Sequence, residues 1–263
     1  MSQKLKVSVL MTVFNTNLLY TKRAIDSVLN QDFQDFEYIV IDGLSTDLTP
    51  EISKKYSAQI DVLLSESDDG LYFAMNKGLN LARGKVIGII SADDILLPGA
   101  LSGVAKKFQD NPGAEVVYGA AELSKVPNSP VFFSHQELNT RMILHPSVFV
   151  ASSAYASLGN FNTKYRIAAD YDLMLRFNKA GVIFQAFEGS LTRIAPGGAS
   201  SKFRFKSILE TYQIQKEYVS KPFLSHELKL LRVIFVTYVR EAIGWFKFLK
   251  ARGNWESRRL FGY

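Results

Sequence analysis

Acidic residues recur behind apolar runs in the first hundred residues: Asp42 and Asp47, then Glu66, Asp68 and Asp69, then the adjacent pair Asp93-Asp94. Carboxylates so spaced offer hard oxygen ligands, which suit magnesium or manganese bridging phosphate oxygens. They suit turns and helix caps equally well, because Asp readily accepts backbone N–H groups. Asp170 and Asp172 open a later amphipathic stretch, where a carboxylate can take a proton as a general base, cap the helix or meet Arg176 four residues on. Phosphate binding by a glycine loop is not encoded. No G-x-G-x-x-G follows the first apolar run, and Gly78 to Gly84-Lys85-Val86 has one spacer too many for a P-loop and no hydroxyl after the lysine. A dinucleotide dehydrogenase and a P-loop NTPase are both disfavoured.

The elements that must carry these residues alternate. Short β-branched runs predict strands at Val7–Val13, Glu37–Ile41, Asp61–Leu64, Val86–Ile90 and Val116–Tyr118. Between them, helices are predicted at Leu18–Gln31 with Asn17 as cap, at Pro50–Tyr56, and at Leu71–Arg83 with Gly84 as the stop. This is the pattern of an α/β fold with a mostly parallel, Rossmann-like sheet covered by helices, whose ligands sit at the carboxyl ends of the strands. Those ends are Thr12, Phe14 and Asn15, then Asp42 to Asp47, then Glu66 to Gly70, then Asp93-Asp94. Farther on, Pro127, Asn128 and Pro130 mark a loop, Ser147–Val150 reads as a strand and Asp170 to Lys179 as a helix. Gly189 to Ser201, holding Pro196-Gly197-Gly198, reads as a mobile loop, followed by helices at Lys202–Val219 and His226–Lys250.

Composition narrows the class. The 263 residues contain no cysteine, which excludes a disulfide framework, a cysteine-ligated zinc site and thiol catalysis, and makes a reducing cytoplasm the expected setting. An aromatic content of 13% supplies enough apolar surface to exclude a disordered chain. Val7 to Phe14 ends in Asn15-Thr16-Asn17 without a small-residue cleavage site, so it reads as a buried strand rather than a secretion signal. Met142 to Thr163 is uncharged but contains Pro146, Gly159, Asn160 and many serines, which do not suit a membrane span.

The ordered strings Val7-Ser8-Val9-Leu10-Met11-Thr12-Val13-Phe14-Asn15, Ile41-Asp42-Gly43-Leu44-Ser45-Thr46-Asp47, Asp69-Gly70 with Ala74-Met75-Asn76-Lys77-Gly78-Leu79, Ala82-Arg83-Gly84 and Ser91-Ala92-Asp93-Asp94 resemble the inverting glycosyltransferase family 2 across roughly residues 5 to 180. The resemblance implies a GT-A fold, a nucleotide-sugar donor, most simply a UDP-sugar, and a divalent metal, manganese or magnesium. It implies that Thr12 and Phe14 hold the nucleobase, with Phe14 stacking where Tyr is common. Asp42 would accept the uracil imide proton, while Gly43 replaces a second acid usual in that turn. Asn15, Asp68, Gly70, Asn76 and Lys77 complete the implied donor site. Asp93 would contact ribose and Asp94 would coordinate the metal, with His145 as a further metal-site or acceptor-pocket residue. Ala168-Ala169-Asp170-Tyr171-Asp172 resembles the family's Glu-Asp motif with Ala169 in place of Glu, which makes Asp170 the implied general base and Asp172 a lesser candidate.

From Lys221 to Tyr263 nine basic residues face three acidic ones, interleaved with Trp245, Phe246, Phe248 and Trp255. Such a helical extension suits anionic lipid headgroups, its own domain or a second subunit. No nucleic-acid motif accompanies the charge. The division expected is therefore a catalytic domain over residues 1–200 and a helical extension over 201–263. A glycan or lipid-linked oligosaccharide in surface polysaccharide (lipopolysaccharide) assembly at the cytoplasmic face is the expected acceptor. A sugar nucleotidyltransferase and an inactive binding module of the same fold are the rival readings.

Overall fold

The computed structural model describes residues 6–124, 126–195 and 203–219, with positions 231, 235 and 239. The chain divides into two compact units, residues 1–202 and 203–263. In the first, β1 (Val7–Val13), α1 (Leu18–Leu29), β2 (Phe36–Asp42), α2 (Thr49–Lys55), β3 (Val62–Ser65), α3 (Leu71–Leu81) and β4 (Val86–Ser91) alternate as the periodicity predicts. A short β5 (Ile95–Leu96), α4 (Ala100–Asp110), β6 (Val116–Leu123), β7 (Val126–Val131), β8 (Val148–Ala151), α5 (Ser152–Leu158), α6 (Ala169–Lys179) and β9 (Phe184–Ile194) follow. The second unit opens with α7 (Arg204–Tyr218).

Among the described residues one mixed sheet runs β3-β2-β1-β4-β8-β6-β9-β5, with β7 paired to β6. Its β3-β2-β1-β4 half is parallel, so the carboxyl ends of four strands share one edge. All seven residues of β1 are buried. Val7, Val9, Met11 and Val13 join Ala24, Ile25 and Val28 of α1 and Leu101 and Val104 of α4 in one core. Alternation sends Leu10 to the opposite face, where Gly78 of α3 leaves its side chain room: a Cβ on Gly78 would lie 2.1 Å from Leu10 Cδ1. A strand covered on both faces has no place for charge except at its ends.

At the amino ends of the strands a buried polar knot closes the sheet. Glu37 Oε1 accepts from Ser8 Oγ at 2.5 Å, from the Arg83 amide at 2.5 Å and from the Gly84 amide at 3.0 Å. Burial alone would raise the Glu37 pKa, but these donors together with Lys6 outweigh it and hold the carboxylate below its ordinary value.

Four expectations are corrected. α3 stops at Leu81, and Gly84 serves a close approach instead of a helix stop, since a Cβ there would lie 2.5 Å from the Ser8 nitrogen. Gly189–Ile194 is strand, because β9 pairs with β6 on one side and β5 on the other. Pro127, Asn128 and Pro130 lie in β7, which pairs only with β6, an edge position where a missing proline N–H costs no ladder bond. α4 and α5 are helices where none was predicted. The Pro196-Gly197-Gly198 segment and all of His226–Lys250 except positions 231, 235 and 239 lie outside the described residues.

Gly84→Ala should destabilise the protein by about 1–3 kcal/mol, the usual range for forcing a methyl group into a packed site. Urea unfolding checks this, and an unchanged midpoint would show that the knot yields freely.

Candidate functional site

The chain turns sharply as it leaves β1 and β2, and two residues take left-handed backbone there, Asn15 at φ 46° and Leu44 at φ 64°. Asn tolerates that conformation; a leucine is strained by it. Hydrogen bonds hold the pair of turns in place. The Asn15 amide donates to Ser45 Oγ at 2.9 Å, and Asn15 Oδ1 accepts from the Thr46 amide at 2.8 Å. Asp42 Oδ1 accepts from both the amide and the hydroxyl of Ser45, and Oδ2 accepts from Ser65 Oγ at 2.6 Å. Asp42 is 1% exposed, so its carboxylate ties three strand ends together beneath the site.

On that base stand groups that face outward. Phe14 is 61% exposed at the end of β1. Thr12 Oγ1 is buried and has no hydrogen-bond partner among the described residues, a condition that ordinarily costs about 1–3 kcal/mol and calls for an explanation. The glycine at position 43 opens the space between Phe14 and Asp68. A Cβ there would lie 2.8 Å from Asp68 Oδ2 and 3.2 Å from the Phe14 ring. Asp68 therefore brings its carboxylate to the turn where Gly43 lacks one. Its Oδ1 accepts from the Gly70 amide at 2.8 Å, and Gly70, at φ 126°, turns the chain into α3.

The adjacent acids of β4 part company. Asp94 is 3% exposed, and its Oδ1 accepts the Ala195 amide at 2.9 Å just beyond β9. Burial, then the neighbouring Asp93 charge, push its pKa up to about 7, against the Ala195 amide and the Ser91 hydroxyl. Asp93 is only half-buried. Asp93 is thus the more open member of the pair, and Asp94, the expected metal ligand, accepts a backbone amide at the end of β9.

Three further candidates take structural posts. Asn76 clamps Phe161, donating to its carbonyl at 2.9 Å and accepting from its amide at 3.0 Å. Lys77 bridges the Ser67 carbonyl at 2.7 Å and Glu66 at 2.8 Å. Asp172 is fully buried and meets Arg176 at 3.5 Å.

Asp170 differs. It is half-buried at the start of α6, and its Oδ1 accepts from the Tyr72 hydroxyl at 3.1 Å and the Tyr171 amide at 2.9 Å. Its Oδ2 accepts no hydrogen bond among the described residues. His145 packs edge-on to Phe161, with ring centroids 5.6 Å apart. Burial lowers its pKa, and Asp170 pulls the other way, so it is neutral at pH 7 and belongs with Asp170. Among the described residues no three His, Asp or Glu side chains are grouped so as to hold a metal. The first turn of α3 joins the two halves of the site. Tyr72 reaches Asp170, Arg166 donates to the Asp69 carbonyl, and the Arg166 guanidinium lies 5.4 Å from the Phe73 ring centre. Arg166 and Ser65 carry no motif of their own, and only their partners single them out; Ser45 sits within the Ile41–Asp47 string, and its bonds to Asp42 and Asn15 give it its place.

The family model for glycosyl transferase family 2 matches residues 8–164, which contain the carboxyl ends of β1, β2, β3 and β4, while Asp170 and the end of β9 lie beyond it. The chain belongs to glycosyl transferase family 2. A glycosyltransferase of PGL/p-HBAD biosynthesis from Mycobacterium bovis is 30% identical over 158 residues, covering 58% of this chain and 62% of that protein, so the match spans less than two thirds of the relative's length. Among solved structures, residues 1–349 of S. aureus TarS in complex with UDP-GlcNAc superpose with a TM-score of 0.68 over 86% of this chain and 70% of that one, at 17% identity. A mannosyltransferase from Pyrobaculum calidifontis, in complex with GDP-Man and Mn2+, gives 0.66 over 84% of this chain and 66% of that one, at 17% identity. The fold is GT-A.

Asp94 generates a pH dependence. An unfolded aspartate titrates near 3.8, whereas folded Asp94 keeps its proton to about pH 7. The folded state binds the extra proton between those values, so this residue's contribution to stability falls as pH rises from about 4 to 7. Asp94→Asn retains the acceptor for Ala195 and removes the ionisation. In chelator it should exceed the wild type at pH 8 by roughly 4 kcal/mol, with the gap closing toward pH 4. Equal denaturation midpoints at pH 8 would contradict the buried placement.

Proposed function

We propose that this protein transfers a sugar from a UDP-sugar to a hydroxyl group of a glycan or lipid-linked acceptor at the cytoplasmic face of a membrane, with inversion at the anomeric carbon. The observation that carries the reading is the unpaired Thr12 hydroxyl, buried at the strand edge beside the exposed Phe14 ring. A planar base stacked on Phe14 brings carbonyl and N–H groups to that depth, which an unpartnered hydroxyl can meet. Asp68 is placed to accept a donor-side hydroxyl or N–H over Gly43, and Asp42 keeps the turn in shape. The TarS complex with UDP-GlcNAc supports the choice of uridine by likeness of fold.

A divalent metal fits this site through Asp93. Magnesium and manganese in nucleotide sites commonly take one or two carboxylates and complete their shell with phosphate oxygens and water, so no cluster of three protein ligands is needed. When bound, such a metal stabilises the charge that develops on the departing diphosphate.

Asp170 does the proton chemistry. Tyr72 and the Tyr171 amide hold Oδ1, which leaves Oδ2 as the basic oxygen. An acceptor O–H whose proton goes to Oδ2 attacks the anomeric carbon as the bond to the phosphate oxygen breaks. UDP leaves with that bonding pair, and a single displacement inverts the centre. Neutral His145 adds no positive charge that would blunt Asp170 as a base.

Asp170→Asn should lower kcat by about 100-fold or more, the usual scale for losing a general base, while UDP affinity stays within about twofold of wild type. UDP release from UDP-sugars supplied with glycan acceptors measures the first, and titration with UDP the second. Release of pyrophosphate instead would favour a nucleotidyltransferase, and retained UDP binding without turnover in the wild type would favour a binding module.

A further inference from the structure

The charge of this protein is divided unevenly. Residues 1–202 hold nineteen Lys and Arg against twenty Asp and Glu, a net −1, whereas residues 203–263 hold twelve against five, a net +7. The second unit also exposes large apolar side chains. Phe203 and Phe205 are 56% and 48% exposed at the start of α7, and they alternate with exposed Arg204 and Lys206. Leu231, Phe235 and Val239 are each helical and exposed, at the interval of four that places side chains on one helix face.

Exposed phenylalanine and leucine are poorly solvated, and five such groups in one small unit call for a cover. A second copy would bring a like charge of +7 against the first, which opposes association. Nucleic acid would answer the charge but leave the aliphatic side chains in water. An anionic bilayer answers both: headgroup phosphates take Arg204 and Lys206, and the acyl boundary takes the rings between them. Among the described residues no helix is long and apolar enough to cross a membrane.

We propose that the described part of this unit docks on an anionic lipid bilayer, with Phe203, Phe205, Leu231, Phe235 and Val239 entering the interface and Arg204 and Lys206 engaging phosphate headgroups. The inference rests on exposure and charge and stands whether or not the transfer reading holds.

The full chain should co-sediment with phosphatidylcholine vesicles containing phosphatidylglycerol and not with phosphatidylcholine alone, and added salt should release it. Arg204→Glu with Lys206→Glu should lower the partition coefficient by about tenfold or more, and Phe205→Ser with Phe235→Ser should do likewise, with melting curves of both variants unchanged. If the double charge reversal melts early, Arg204→Gln with Lys206→Gln is the substitute and should still lower binding severalfold. Equal binding to neutral vesicles, no binding to either, or variants that bind as wild type would overturn the proposal. So would a dimer in sedimentation velocity that the two Phe→Ser changes dissociate.

Discussion

Burial of β1 on both faces is the constraint from which the site follows. Seven consecutive buried residues in a parallel ladder between β2 and β4 leave no lateral position where a charge could be solvated. Polar groups are therefore confined to the strand ends. At the amino ends they form the closed knot around Glu37, in which one carboxylate oxygen gathers three donors. At the carboxyl ends the same chemistry stays open, because the chain leaves through turns that spread the groups apart instead of gathering them.

The carboxylates at that open edge divide by how they are held. Asp42 and Asp94 are almost fully buried and act on neighbouring backbone and hydroxyl groups, Asp42 across the ends of β1, β2 and β3 and Asp94 at the end of β9. Asp68, Asp93 and Asp170 each keep part of their surface free. Asp68 is supported by the Gly70 amide, and Asp170 by the Tyr171 amide and the Tyr72 hydroxyl. The strained Leu44 marks where this scaffolding exacts a local cost, since the turn that admits Ser45 to Asp42 bends through a conformation leucine resists.

Much of this was legible beforehand, for reasons that differ by element. β1, α1 and its Asn17 cap could be read because period and cap are local properties, and the cap does accept from the Leu19 and Tyr20 amides. β7 and the second half of β9 could not, because their strand character comes from pairing partners far along the chain that override Pro and Gly locally. At the site, residue type and order pointed to the right edge but not to which side chain faces out. Asn76 and Lys77 share one string, and in the fold each hydrogen-bonds a distant or neighbouring loop, at Phe161 and at Ser67. The different burial of Asp93 and Asp94 was not readable either, because Asp94 meets the Ala195 amide a hundred residues later. Thr12 shows the reverse, since only the three-dimensional surroundings reveal that its hydroxyl lacks a partner.

The central claim is that this unpaired hydroxyl awaits a nucleotide. Calorimetric titration of UDP with manganese into the wild type and Thr12→Val tests it most directly, because valine preserves the shape and removes only the unpartnered group. The variant should bind UDP roughly three- to tenfold more weakly, the worth of one neutral hydrogen bond, while melting no earlier than the wild type. Equal affinity in the two proteins, or no UDP binding in either, would contradict the account.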